Sequence, residues 1–357
     1  MFGLFKKKPK GPASVRVAPL GIEVEVPSNQ SLLQAVLEAG YDFPHSCKVG
    51  TCMPCRCRLL SGKVTAIRDF SYVLSGEELR AGYILACQAK VPAGTQVVVE
   101  MEVDVNRPKF ETQTLTGRIV MQQALTHDIV ELKVELDAGC SPMLYAAGQY
   151  AGLRREGLDR DREYSFAAAP EAQGLRHLTF FIRHVPGGAF TDWLFTEQRL
   201  GEVLQISGPG GDFWLRPDEA PLVLIAGGSG LAPMVSLLED AVRKGCTRDV
   251  TFLFGARAQR DLYKLDLIEA LGKQWRGNFK FIPVLSDEPS NSQWSGKRGM
   301  VTEFLSPDHV PQLGACHAYL CGPPRMIDAA MTQLYAAGIP EARIHYDKFL
   351  DASSLKS

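Results

Sequence analysis

After a basic start, the chain opens with two runs in which apolar and polar residues alternate. In "SVRVAPLGIEVEV", Val15 and Val17, then Ile22, Val24 and Val26, fall on every second position, with Pro19 and Gly21 between the runs. Successive strand side chains point to opposite faces, so this pattern predicts a β-hairpin. "SLLQAVLEAG" then changes to helical spacing, with Ser31 as N-cap and Gly40 as stop. "CRLLSGKVTAI", "YILACQAK" and "TQVVVEMEV" read as further strands, and residues 13–103 form a compact domain of strand pairs, one helix and a loop. "DVNRPKFETQT" has no apolar period and carries Pro108, which places a linker at 104–113. From 114 to 217, short strands such as "EYSFAAAP" and "RHLTFFIRHV" are divided by Gly, Pro and Asp, as in a small antiparallel barrel. Beyond Pro217 the strands become apolar on both faces ("LVLIAGG", "VTFLFGA", "HAYLCGPP") and alternate with helical stretches, the pattern of a parallel α/β domain at 218–357.

Composition adds exclusions. Thirty-nine basic side chains face 40 acidic ones in 357 residues, so the chain is not a general nucleic-acid binder. "MFGLFKKKPKGP" puts a short apolar tetrad before Lys6, Lys7, Lys8 and Lys10, the reverse of a signal peptide; residues 1–12 read as a solvated basic arm, with weak contact to an anionic membrane surface as the alternative. No run approaches the roughly 18 apolar residues of a membrane span, and a cytoplasmic location is expected. In a reducing compartment the nine cysteines are ligands or packed thiols before they are disulfides.

Four of the nine cysteines form one pattern. Cys47, Cys52 and Cys55 have C-x4-C-x2-C spacing, and Cys87 follows a later strand in "LACQ". This is the plant-type [2Fe-2S] arrangement, three thiolates from one loop and the fourth from elsewhere. Gly50 supplies a tight bend. A structural zinc ion or a chance group of buried thiols remains the alternative, although the separated C-x2-C pairs or histidines usual for zinc are missing. Cys57, Cys140, Cys246 and Cys316 read as small packed side chains.

With these motifs in this order, the first hundred residues resemble a plant-type ferredoxin and the remainder resembles a ferredoxin-reductase flavoprotein. The whole resembles the NADH-dependent reductase component of bacterial multicomponent oxygenases. The resemblance implies a multidomain fold: a β-grasp-like α+β ferredoxin domain, an antiparallel β-barrel FAD domain, and an α/β parallel-sheet NAD domain. One departure lies between the second and third ligands, where Met53 and Pro54 stand in place of small residues. Proline has no N–H to offer a cluster sulfur.

The resemblance also implies site residues. In "DREYSF", Arg162 pairs with the flavin pyrophosphate, Tyr164 lies against the isoalloxazine ring and Ser165 bonds near its reactive N5. Arg183, Gly187, Gly188, Phe190 and Thr191, a glycine turn entering a helix, line the pyrophosphate, and helix N-termini suit anions. FMN is the second-choice flavin. Gly227, Gly228, Ser229 and Gly230 form the dinucleotide turn, followed by Pro233 in a helix. Cys321, Gly322 and Pro323 of "YLCGPP" flank the nicotinamide, and Phe349 covers the flavin face. Ser165, Cys321 and Phe349 are thus the residues nearest the chemistry. Arg257 and Arg260 stand where the adenosine ribose is expected and do not exclude NADPH, although NADH is the expected donor.

The function implied is electron transfer from NADH through FAD and a [2Fe-2S] cluster to a separate oxygenase or hydroxylase, either a Rieske dioxygenase or a diiron enzyme. Two electrons arrive as hydride and leave singly, and the cofactors carry the chemistry. The alternatives are a reductase for a membrane desaturase or cytochrome P450, and a redox-sensing iron-sulfur flavoprotein.

Overall fold

The computed structural model describes residues 11–350, so positions 1–10 of the basic arm lie outside the described residues. The chain divides into two compact units, Met1–Glu111 and Thr112–Ser357.

In the first unit, β1 (Ala13–Ala18) and β2 (Ile22–Val26) form the expected hairpin, with Val15 opposite Val24. Alternation buries Ala13, Val15, Val17, Val24 and Val26 on one face. α1 (Leu32–Glu38) covers that face with Leu32, Leu33, Ala35 and Val36; the Gln34 N–H donates to Ser31 Oγ at 3.2 Å, and Gly40 ends the turn at φ +82°. β3 (Arg56–Ser61) stops short of the expected run, because Gly62 turns at φ +89° so close to a later segment that a Cβ would lie 2.7 Å from the Gln96 carbonyl oxygen. The residues beyond it form β4 (Thr65–Ala66) instead. α2 (Gly76–Arg80) and β5 (Tyr83–Leu85) follow, then β6 (Ala89–Lys90), which pairs with β4, and β7 (Gln96–Met101). The main sheet runs β2-β1-β7-β3-β5, with β1 and β7 parallel, which is a β-grasp topology.

The second unit begins with β8 (Gln113–Ala124), β9 (Ile129–Leu136), β10 (Tyr150–Arg154), β11 (Arg162–Ser165), β12 (His177–Arg183), α3 (Ala189–Thr196) and β13 (Val203–Gly210). The antiparallel order is β11-β10-β13-β8-β9-β12. Its two edges meet at a Phe166–Phe180 bridge and a 2.8 Å bond from the Ala167 N–H to the Thr179 carbonyl, so the sheet curls to a nearly closed barrel around Leu132, Leu153, Phe180 and Ile206.

The α/β lobe comprises β14 (Leu222–Gly227), α4 (Leu231–Arg243), β15 (Val250–Ala256), α5 (Leu265–Gln274), β16 (Phe279–Leu285), β17 (Lys297–Arg298), β18 (His317–Gly322), α6 (Pro324–Ala336) and β19 (Ile344–Lys348). Its strands are all parallel, in the order β17-β16-β15-β14-β18-β19. α4 and α5 cover one face, together with barrel residues Phe181 and Phe213, and α6 covers the other. Strand order reverses between β14 and β18. In open α/β sheets the ligand crevice opens at the carboxyl ends of strands at such a switch point.

Candidate cofactor sites

The cysteine loop has no helix or strand between α1 and β3. Lys48 at φ +55° and Gly50 at φ +79° turn it, and a Cβ on Gly50 would lie 2.5 Å from Gln88 Cγ. Cys87 sits in a single 3-10 turn after β5. The four sulfurs come together as two pairs. Cys47 and Cys52 Sγ are 3.0 Å apart, while Cys55 and Cys87 are hydrogen-bonded to each other. The Thr51 N–H donates to Cys47 Sγ, the Cys47 N–H donates to Cys52 Sγ, both at 3.3 Å, and Gln88 Nε2 donates to Cys87 Sγ at 3.5 Å.

In each pair one thiol donates a hydrogen bond to the other sulfur. The Cys52 hydrogen bond brings the Cys47 thiol down to about 5 despite burial, and the Cys55 hydrogen bond lowers Cys87; Cys52 and Cys55 are pushed up by the same bonds and by burial. Metal binding replaces such protons. Among the described residues, no three cysteine sulfurs lie within 4.8 Å of one another; the one group that does meet that distance is His127, Asp128 and Asp261. Four thiolates around a single tetrahedral zinc would all lie within about 4 Å of each other, given Zn–S bonds near 2.3 Å. Two pairs, one for each iron, fit a binuclear cluster. Cys57 is fully buried, with its thiol pushed up to about 12 by burial and by Cys87, and is a packed side chain.

In the barrel, β11 carries Arg162, Tyr164 and Ser165. Arg162 turns its guanidinium back onto the carbonyls of Arg160 and Asp161 at 3.1 and 3.2 Å. Tyr164 packs 5.5 Å from the Phe190 ring, and burial pushes its phenol up; Ser165 is buried beside Tyr150 of β10. Phe190 belongs to the barrel core, 1 % exposed, so it acts by backing Tyr164. Gly187 has φ +79° and open space where a Cβ would be, whereas a Cβ on Gly188 would lie 2.6 Å from Thr191 Oγ1. Thr191 Oγ1 donates to the Val185 carbonyl at 2.9 Å and accepts from its N–H at 3.1 Å, which fixes the turn before α3. Gly188 caps α3 with no side chain, an end suited to an anion. Arg183, at the end of β12, donates to Asp128 Oδ2 at 3.3 Å.

At the switch point, most of the glycines serve chain-on-chain packing. A Cβ on Gly230 would collide with the Cys321 carbonyl oxygen, one on Gly322 (φ +142°) would lie 2.8 Å from the Gly227 oxygen, and one on Gly227 would lie 2.6 Å from Met326 Sδ. Gly228, at φ +56°, alone of this group faces open space. The ends of β14 and β18 are therefore pressed together with Pro323 beside them. Ser229 is buried, and Pro233 lies in the first turn of α4. Cys321 is fully buried and its thiol is pushed up by burial. The Phe349 N–H donates to the Gly322 carbonyl at 2.9 Å, which sets that half-buried ring just beyond β19 and beside the Cys321 cluster. Arg257 is engaged by Asp128 and Asp261 at 3.3 and 3.5 Å, while Arg260 is exposed on the same turn.

The sequence reading missed three contributors. Gln88 clasps the cluster loop, Asp128 gathers two arginines, and Tyr263 donates its hydroxyl to the Gly228 carbonyl at 2.9 Å. Only Gln88, next to a ligand, carried a local signal.

This is the architecture of a three-part iron-sulfur flavoprotein oxidoreductase. Residues 15–92 match the 2Fe-2S iron-sulfur cluster binding domain, 116–214 the oxidoreductase FAD-binding domain and 224–332 the oxidoreductase NAD-binding domain. The chain belongs to the family of electron-transfer reductase components of multicomponent oxygenases. It is 40 % identical to the xylene/toluene monooxygenase electron transfer component of Pseudomonas putida, over 97 % of this chain and 96 % of that one. It is 33 % identical to the phenol 2-monooxygenase reductase component of Pseudomonas sp. strain CF600, over 95 % of each. The crystal structure of an Amycolatopsis cytochrome P450 reductase matches at TM-score 0.78 and 34 % identity, covering 95 % of this chain and 99 % of that one. No helix among the described residues is long and apolar enough to cross a membrane.

Proposed function

We propose that this chain takes hydride from NADH and delivers single electrons to a separate monooxygenase component acting on aromatic hydrocarbons, in the cytoplasm. FAD, when bound, accepts hydride, and a [2Fe-2S] cluster, when bound, passes electrons one at a time. The observation that carries the reading is the division of Cys47, Cys52, Cys55 and Cys87 into two pairs, in a chain that also has the flavin and dinucleotide elements. Thr51 and Gln88 hold the thiolates by hydrogen bonds. Tyr164, Ser165 and the open N-terminus of α3 present an aromatic side chain, a hydroxyl and backbone N–H groups suited to a flavin and its pyrophosphate. Phe349 stands at the carboxyl edge of the sheet, where it limits access to the Cys321 side of the crevice.

The likeness to the xylene/toluene monooxygenase component supports a separate monooxygenase acting on an aromatic hydrocarbon as acceptor. The likeness to the P450 reductase favours a cytochrome P450 as the second reading. The test is anaerobic titration of the cluster-intact protein with NADH and then NADPH, followed by visible absorption and EPR. Flavin bleaching with the EPR signal of a reduced [2Fe-2S] centre is expected, with NADH the better reductant. Bleaching without that signal overturns the cluster assignment.

A further inference from the structure

Asp128 lies in the turn between β8 and β9, on the barrel, and is fixed there by its neighbours. Thr126 Oγ1 donates to its Oδ1 at 3.0 Å, and its own carbonyl accepts from the His184 N–H at 2.8 Å. The other carboxylate oxygen, Oδ2, accepts from two arginines, Arg183 Nε and Arg257 Nη2, each at 3.3 Å. Arg257 belongs to the α/β lobe, directly after β15, at the carboxyl edge where the adenosine end of a dinucleotide is expected. Asp261 engages the same guanidinium from another side, Nε to Oδ2 at 3.5 Å, and stands 3.3 Å from His127 Nδ1. The two carboxylates are largely enclosed, with side chains 19 % and 10 % exposed, against 53 % for Arg257.

We propose that Asp128 is a specificity-determining residue for the dinucleotide: together with Asp261 it holds the Arg257 guanidinium, so that Arg257 is not free to receive a 2'-phosphate and NADH is preferred. The inference rests on the nicotinamide reading of the carboxyl edge given above. An arginine that receives a 2'-phosphate must present an unneutralised fork of N–H groups. Here both carboxylates already engage the Arg257 guanidinium. Turning Arg257 toward a phosphate strips partners from two mostly enclosed carboxylates, and the incoming anion meets both of them. A ribose hydroxyl brings no charge and meets no such penalty. Arg260 on the same turn is exposed, so it would give up side-chain freedom to reach a phosphate, and exposed ion pairs of that kind contribute little. The carboxyl of Asp128 remains charged near neutrality: burial pushes it up, but the Thr126 hydroxyl and Arg183 hold it below the usual carboxylate range.

The experiment uses the full-length protein with FAD and cluster bound. For the parent and Asp128→Asn, kcat/KM is measured with NADH and NADPH, and adenosine 2',5'-bisphosphate and 5'-AMP are titrated by calorimetry. Asp128→Asn should raise the NADPH-to-NADH ratio on the order of tenfold and tighten the bisphosphate while leaving 5'-AMP nearly unchanged. Adding Arg257→Ala should abolish the gain. Asp261→Asn, which releases Arg257 from the other side, should move the ratio in the same direction, and it is the deciding arm if Asp128→Asn does not load flavin. An unchanged ratio, a gain that survives Arg257→Ala, or a parent that prefers NADPH overturns the proposal. A parent reduced by neither dinucleotide overturns the underlying reading instead.

Discussion

Two neighbouring histidines in the α/β lobe, His317 buried and His345 half-buried, show how a single residue couples to pH. His345 lies tilted 4.7 Å from the Tyr319 ring and stacks 5.8 Å from His317, with Arg216 and Arg248 nearby. Burial, then Arg216, His317 and Arg248, lower it from 6.5 to about 3. The unfolded chain therefore binds a proton that the native state refuses. The stability linked to His345 is complete above about pH 6.5 and falls as pH drops toward about 3, by at most ~1.4 kcal/mol per pH unit. Replacing His345 with Phe should reduce the loss in urea midpoint between about pH 7 and pH 5; equal losses in parent and variant would count against this linkage. None of this is legible in "RIHYDKF", where His345 looks like an ordinary strand residue. The glycines show the opposite limit. Their presence in "AGGSG" was plain, but that Gly230 yields to the Cys321 backbone, and only Gly228 opens outward, depends on the strand beside them.

At the scale of elements, local chemistry explains most boundaries. Ser31 and Gly40 delimit α1 as their residue types predict. α2 has a capping box: the Glu78 N–H donates to Ser75 Oγ at 3.2 Å and the Ser75 N–H to Glu78 Oε2 at 2.8 Å. Glu78 Oε1 also accepts from Arg56 Nη1 at 2.5 Å, which ties the helix start to the residue following Cys55. Glu78→Ala loses both roles and should destabilise the ferredoxin unit by roughly 1–2 kcal/mol. Urea-dependent bleaching of the cluster absorption measures this; a midpoint equal to the parent's would show that the tie contributes nothing. Element reading failed where two segments compete for one edge. "CRLLSGKVTAI" has the composition of one strand, but Gly62 approaches Gln96 too closely for the run to continue, and the remainder pairs with β6.

Across the whole molecule, the division falls between Glu111 and Thr112, while the barrel and the α/β sheet share one core through Phe181, Phe213, Leu231 and Met234. Lys264–Glu131, at 2.8 Å, and Arg257–Asp128 add ion pairs across that seam. A chain limited to residues 112–357 should therefore fold, bind FAD and reduce ferricyanide with NADH at a rate within about twofold of the full protein, because a compact unit with its own core is independent. It should lose reduction of the oxygenase partner. Failure of the truncated chain to retain flavin would show that the two units depend on each other for stability.

The sequence by itself determined what is local. Cysteine spacing, cap residues and hydrophobic period depend on neighbours a few positions away, and they specified the element types, the four ligand candidates and the glycine turns. Only the tertiary structure decided what depends on distant segments. Cys87 meets Cys55 only because its segment folds back to the loop, where Gln88 packs against Gly50, and the barrel closes where Phe166 meets Phe180. Asp128 meets Arg257 across 129 positions of chain, since folding brings the turn of one lobe against the strand end of the other. No periodicity records that contact, because side-chain spacing repeats within an element and carries no information about which element will lie across from it.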